Sequence, residues 1–379
     1  MEFQFATARR VLFGEGMVRE AVRAARALGG RPLLVTGSSP ERAAALIGEL
    51  QPACFPIAGE PSIDGIREGT QFAREARCDV VVAIGGGSAI DAGKAIAALL
   101  TNPGDPMDYV EVIGGGRSLE QEAAPMIAIP TTAGTGSEVT INAVLGSAAH
   151  GVKVSLRSVL MRPWVAIVDP ELTLSVPRAV TATTGLDALT QLIEPYVSVR
   201  ANAMTDLYCA EGMRRAAGAL ARAWRNGGDR EARRDMAFAS LLGGMALANA
   251  GLGAVHGFAA PLGGMFPAPH GAACAAVLPY AMAVNVQALR TRMPESAALA
   301  RYDEVARLLT GRSHATAEDG VAWTRDLCRE LEIPPLRAWG VSETDISALV
   351  EKAARANSMK ANPLPLTPAE LTEIISQAI

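Results

Sequence analysis

From Met236 to Leu289 the chain carries no Asp, Glu, Lys or Arg, yet this stretch holds two of its four histidines, His256 and His270. A run so apolar is either a membrane span or the buried centre of a soluble domain. Spanning takes about 20 uninterrupted apolar residues. Only Met236 to His256 comes near that length, and Asn249 lies inside it. Pro261, Pro267, Pro269 and Pro279 break up the remainder, with glycines scattered from Gly251 to Gly271. The stretch therefore reads as a domain centre, with no membrane as partner. Within it, Met236 to Ala250 is expected as a buried helix and Gly251 to Gly271 as an irregular segment.

A histidine in apolar surroundings is more often a core residue with one satisfied hydrogen bond than a ligand. Here two of them lie beside glycines in a setting without charge, where imidazole is the group able to bind a metal or move a proton. His256 and His270 are therefore the first candidates for chemistry.

A length of 379 residues exceeds one ordinary core and suggests about two or three domains. The net charge of -4 offers no basic patch, so nucleic acid is not an expected partner. Five scattered cysteines without a CxxC pair indicate neither a disulfide framework nor a zinc knuckle. The N-terminal MEFQFATARRVLFG mixes charges where a signal peptide needs an apolar core, and a cytoplasmic location is expected.

In chain order, Phe3 to Phe13 alternates as one or two short strands, and Met17 to Leu28 has helical spacing. Pro32 to Thr36 is a short apolar run of the buried parallel-strand kind, followed by a polar turn from Gly37 to Pro40 and a helix from Glu41. A second unit is sharper: strand Asp79 to Ile84, turn Gly85-Gly-Gly-Ser88, helix Ala89 to Leu100. Strands at Met126 to Ile129 and Trp164 to Val168 continue the alternation. After Asp169-Pro170 the strand-like runs stop and helices follow, with a boundary expected near Pro177. The fold class is thus an α/β N-terminal domain over residues 1–177 and an all-α C-terminal domain over residues 178–379.

A glycine-rich turn between a buried strand and a helix N-terminus suits phosphate, because backbone N–H groups can approach the anion and the helix dipole favours it. The turn at 85–88 is followed by Asp91 and Lys94 on its helix, and by a second polar turn, Pro130 to Glu138, after the next strand. Two such turns at strand ends make a nucleotide site. Lys94 sits too far along the helix for a P-loop. In the second half, Asp187 and Gln191 stand at i and i+4 of one helix and point the same way.

The motifs GGGSAIDAGK (85–94), PTTAGTGSEVT (130–140), VDPELT (168–173), GLDALTQLIEPYVS (185–198) and GLGAVHGFAAPLGGMFPAPHG (251–271), with the later Asn362-Pro363, resemble the iron-containing, or group III, alcohol dehydrogenases. The resemblance covers nearly the whole chain. It implies the dehydroquinate synthase-like fold, a dinucleotide-binding α/β domain and a helical domain with a divalent metal, Fe(II) or Zn(II), between them. By position, the phosphate loop is Gly85, Gly86, Gly87 and Ser88, with Asp91 beyond it. Thr131, Thr132, Thr135 and Lys153 are implied for the rest of the cofactor, and Asp187, Gln191, His256 and His270 for the metal. It further implies a homodimer using the N-terminal strand.

Two positions depart from the family pattern: Gln191 replaces a histidine ligand, and Ala260 replaces the second histidine of an HxxxH pair near the substrate. An amide oxygen is a poorer ligand than imidazole for Fe(II) or Zn(II). NAD-preferring members usually carry Asp where this chain has Gly37, so Gly37, Ser38 and Ser39 imply NADP(H) preferred over NAD(H). The expected reaction interconverts a small alcohol and its aldehyde or ketone by hydride transfer, with the metal as Lewis acid. Asn142, Ser358 and Lys360 are implied near the substrate, and Lys360 would suit an anionic one. The alternatives are a metal-independent reductase of the maleylacetate reductase kind, a lyase of the dehydroquinate synthase kind, and a nucleotide-binding relative without catalysis.

Overall fold

The computed structural model describes residues 2–37 and 43–379. The chain divides into two compact units, Phe5–Ser175 and Val176–Ile379, the second including residues 2–4. The break falls between Ser175 and Val176.

The first unit alternates strand and helix: β1 (Arg10–Phe13), α1 (Glu20–Leu28), β2 (Pro32–Thr36), α2 (Ala44–Leu50), β3 (Ala53–Pro56), α3 (Ile63–Glu75), β4 (Val80–Gly85), α4 (Gly87–Thr101), α5 (Pro106–Tyr109), β5 (Met126–Pro130), β6 (Asn142–Ser147), β7 (Val152–Arg157) and β8 (Val165–Val168). Among the described residues six strands form one parallel sheet in the order β1-β8-β5-β4-β2-β3. Side chains alternate between its faces, and both faces are buried. Leu33, Val35, Val81 and Ala83 pack with Ile66, Ile90 and Ile96 of α3 and α4. Leu34, Val82, Ile84, Ile127 and Ile129 pack with Val22 and Leu46 of α1 and α2. This two-sided burial is why the strands read as continuous apolar runs.

Two expectations need correction here. Of Phe3 to Phe13, only Arg10–Phe13 is a strand. The antiparallel hairpin β6–β7 was not anticipated. Its strands bury only alternate residues, so they lack the two-sided burial that marked the central strands. The expected helix start at Glu41, like Ser38 and Ser39, lies outside the described residues.

The second unit is helical: α6 (Arg178–Val197), α7 (Ala203–Arg225), α8 (Arg230–Ala250), α9 (Ala254–Met265), α10 (His270–Arg292), α11 (Ala297–Thr310), α12 (Ala317–Glu330), α13 (Ile346–Arg355) and α14 (Pro368–Ala378). α6 is its axis, buried almost throughout from Gly185 to Val197 and packed by α7, α8 and α10. α8 ends at Ala250, Gly251 follows with a φ of +73° that glycine adopts without strain, and the chain bends by 98° into α9. The segment Gly251 to Gly271 is thus largely helical and not irregular, which corrects the expectation. Val255, Phe258, Ala259 and Leu262 are buried at helical spacing, and that burial outweighs the roughly 1 kcal/mol cost of each internal glycine.

α10 is also long and apolar enough to cross a membrane, so Met236 to His256 was not the one stretch near that length. In the bundle 83% of its apolar window is buried, against α6, α9, α12 and α14.

Candidate active site

In the helical unit one turn after another of α6 presents a polar group from a buried face: Asp187, Gln191 and Glu194, all under 9% exposed. α9 and α10 bring their histidines to that face. His256 lies in the first turn of α9, and its Nε2 is 3.3 Å from Asp187 Oδ1. His270 is the first residue of α10, with Nε2 3.7 Å from the same oxygen. The two rings stand 5.4 Å apart between centroids. His270 is the open member, its side chain 38% exposed against 5% for His256.

The backbone permits this convergence at two glycines. A Cβ on Gly271 would lie 2.8 Å from the Thr183 carbonyl oxygen, so glycine lets the start of α10 touch α6. A Cβ on Gly253 would lie 2.9 Å from both Glu194 Oε1 and Asn362 Oδ1, the two acceptors that receive the first N–H groups of α9. The Ala254 amide donates to Asn362 Oδ1 at 3.1 Å and the Val255 amide to Glu194 Oε1 at 2.7 Å. Asn362 is itself held by the Asn285 amide, 2.8 Å from Nδ2 to Oδ1. Glu194 Oε2 then accepts from His256 Nδ1 at 2.7 Å. With Nδ1 turned to Glu194, Nε2 is the nitrogen that faces Asp187.

Among the described residues two buried oxygens on this face have no hydrogen-bond partner, Asp187 Oδ1 and Gln191 Oε1. Burial alone would raise the Asp187 pKa, but His270 and His256 hold it below the usual carboxylate range. The carboxylate is charged. An anionic oxygen and imidazole nitrogens facing one point, with an oxygen left unsatisfied, fit a divalent cation. Cys274 stands at the same point, so that Asp187, His256, His270 and Cys274 offer ligand atoms all within 4.8 Å of one another.

In the α/β unit the expected nucleotide loops are adjacent. Gly37 ends β2 and Gly85 ends β4, neighbouring strands on either side of which the chain order reverses, and a Cβ on Gly85 would lie 3.3 Å from the Gly37 nitrogen. Ligands of open α/β sheets bind outside the strand ends at such a reversal. The Thr131 amide donates to the Gly85 carbonyl at 2.9 Å, and a Cβ on Gly87 would meet Thr135 at 2.8 Å. A Cβ on Gly86 would come 3.6 Å from Thr132. Gly86, Gly87 and Ser88 remain half exposed, and no side chain caps the N-terminus of α4. The Ala89 and Ile90 amides donate to the Gly86 carbonyl, which leaves those of Gly87 and Ser88 for an anion.

Asp91 is used inside the protein. It pairs with Lys94 at 2.9 Å, accepts from the Val144 amide at 2.9 Å and takes a hydrogen bond from the Ser137 hydroxyl. Lys94 is fully buried and donates to Thr140 at 2.8 Å and to the Asn142 carbonyl. Asn142, half buried, opens β6. Lys153 pairs with Glu60 at 2.6 Å, and Lys360 is exposed in a 3-10 turn over Asn357–Ala361, with Ser358 half buried beside it. Sequence reasoning missed Glu194 and Cys274. Glu194 does share the face of Asp187 and Gln191 by helical spacing, and Cys274 follows His270 by one turn, so both were reachable once the histidines were taken as a centre.

Two family profiles match: "Iron-containing alcohol dehydrogenase" over residues 8–170 and "Fe-containing alcohol dehydrogenase family, C-terminal" over residues 181–379. The chain is 37% identical over 331 residues to long-chain-alcohol dehydrogenase 1 of Geobacillus thermodenitrificans, covering 85% of this chain and 80% of that protein. It is 35% identical to the NAD-dependent methanol dehydrogenase of Bacillus methanolicus over 97% of each. The crystal structure of a 1,3-propanediol oxidoreductase superposes with a TM-score of 0.90 at 34% identity, covering all of both chains. With both halves matched, this chain belongs to the iron-containing alcohol dehydrogenase family and is an oxidoreductase.

Proposed function

We propose that the protein interconverts a small alcohol and its aldehyde or ketone, with NADP(H) preferred over NAD(H) and a divalent metal, Fe(II) or Zn(II), held by Asp187, His256 and His270. The observation that carries this reading is the convergence of those three side chains on a buried oxygen, Asp187 Oδ1, that has no hydrogen-bond partner. When bound, such a metal supplies Lewis acidity toward the substrate oxygen.

The chain's own groups do the rest. Glu194 holds His256 by Nδ1 and so keeps Nε2 available. The uncapped start of α4, with Gly85 to Ser88 and the threonines at 131, 132 and 135, receives the cofactor phosphates. Gly37 carries no carboxylate to repel a 2'-phosphate, which supports NADP(H). Ala260 offers no proton, so the proton that completes reduction comes from water, a cofactor ribose hydroxyl or another side chain. Asn142 and Lys360 are proposed to face the substrate, with exposed Lys360 suited to an anionic group.

The test is oxidation of NADPH, and in parallel NADH, with a panel of small neutral and anionic aldehydes. Turnover with a higher kcat/KM for NADPH supports the proposal. Tight NADPH binding without turnover of any aldehyde rejects the reaction, and a higher kcat/KM with NADH rejects the cofactor preference alone.

A further inference from the structure

Gln191 stands where the family pattern expects a histidine, so the cluster on α6 is short of one good donor. α10 supplies another. Cys274 follows His270 by one helical turn, on the same face, and is fully buried. Its Sγ lies 3.7 Å from His270 Nε2 and 3.8 Å from His256 Nε2. Asp187 Oδ1 is 3.3 Å and 3.7 Å from His256 and His270 Nε2 respectively.

These separations are close to those of a coordination shell. Bonds of about 2.3 Å to sulfur and about 2.0 Å to nitrogen or oxygen, at tetrahedral angles, place the donors about 3.5 Å apart for S···N and about 3.3 Å for N···O. The two S···N and two N···O pairs stand at those distances or a few tenths of an ångström beyond, and all four donors lie within 4.8 Å of one another. A reading without metal leaves contacts unanswered. The thiol has a single proton for two imidazole nitrogens, and one imidazole proton would satisfy the 3.3 Å pair only. Among the described residues Asp187 Oδ1 is buried without a hydrogen-bond partner, which is a second sign of a missing cation.

We propose that Cys274 Sγ is the fourth protein donor of this site, completing an Asp-His-His-Cys set with Asp187, His256 and His270. Gln191 is then not a donor to the metal. The inference rests on the metal-site reading above and deepens it. A soft thiolate also moves selectivity toward Zn(II) and away from the oxygen-preferring Mg(II) and Mn(II).

The experiment is Co(II) substitution of the full chain after metal removal, followed by electronic absorption and equilibrium dialysis, with Cys274→Ser and Cys274→Ala in parallel. The expected wild-type spectrum contains a near-ultraviolet thiolate-to-cobalt charge-transfer band. Both variants lose the band, and they bind the metal weaker by at least the roughly 10–100-fold typical of a lost supporting contact. Stoichiometric Co(II) in the wild type without that band overturns the Cys274 assignment and leaves the site at Asp187, His256 and His270 standing. So does a band that survives in the variants. Failure of the wild type to bind Co(II) or Zn(II) at all overturns both. The wild-type spectrum decides the matter even where a variant fails to fold.

Discussion

Glu194 Oε2 lies 2.7 Å from His256 Nδ1 while its other oxygen takes the Val255 amide at 2.7 Å. One carboxylate thus orients the imidazole and ties down the backbone that carries it. In Glu194→Gln an amide replaces the acceptor, and the imidazole loses the partner that keeps its proton on Nδ1. Zinc affinity, measured by competition with a chromophoric chelator, should fall roughly 10–100-fold. Unchanged affinity would mean that His256 is positioned by α9 alone.

Gly271→Ala tests the approach of α10 to α6. The added Cβ would sit 2.8 Å from the Thr183 carbonyl oxygen and 3.0 Å from its carbon, and backbone cannot move aside cheaply. The expected outcome is destabilisation by about 1–3 kcal/mol in urea unfolding, with weakened metal binding because His270 is the adjoining residue. A variant of full stability would show that α10 has slack there.

Gly37→Asp tests the cofactor. Among the described residues nothing lies within 4 Å of a Cβ built on Gly37, and its φ is outside the left-handed region. A carboxylate there accepts from ribose hydroxyls and repels a 2'-phosphate. The ratio of kcat/KM for NADPH over NADH should fall by at least tenfold. A ratio that stays the same would place the adenosine ribose elsewhere.

Glu138 gives the first unit a pH dependence. Burial pushes its carboxyl up to about 7 from an ordinary 4.5, against the pull of its own backbone amide and of Lys94. Because the folded pKa is the higher one, the folded state holds the proton more tightly, and stability from this group is full below about 4.5 and lost as pH rises through about 7. Thermal unfolding of the wild type should show a downward contribution to Tm across that window. In Glu138→Gln it should be absent, with a higher Tm than wild type above neutrality. Parallel pH profiles for the two proteins would contradict this.

The α/β half was legible because its strands are buried on both faces and its turns are rich in glycine, which made β2, β4, β5 and β8 plain as runs. The hairpin β6–β7 was not, because Asn142–Ser147 alternates on a half-exposed surface and has no turn of the Asn-Gly kind. α9 was hidden by its own composition. Gly257, Pro261, Gly263 and Gly264 spell irregular backbone, and only tertiary burial of Phe258 and Leu262 makes a helix of it. In the site, His256 and His270 stood out by their isolation, Asp187 was implied as a ligand by the family resemblance, and the structure brings all three together. Glu194 was overlooked since an acid late in an apolar helix reads as an end residue, and Cys274 since a lone cysteine carries no spacing signal.

The most direct test is the metal content of the protein purified without added metal, with aldehyde-dependent NADPH oxidation assayed before chelation, after it, and after Zn(II) or Fe(II) is returned. The account predicts stoichiometric metal, activity lost on chelation, and recovery on return of the ion. Full turnover by metal-free protein would contradict it, and the cluster of Asp187, His256 and His270 would then have to act through hydrogen bonds alone.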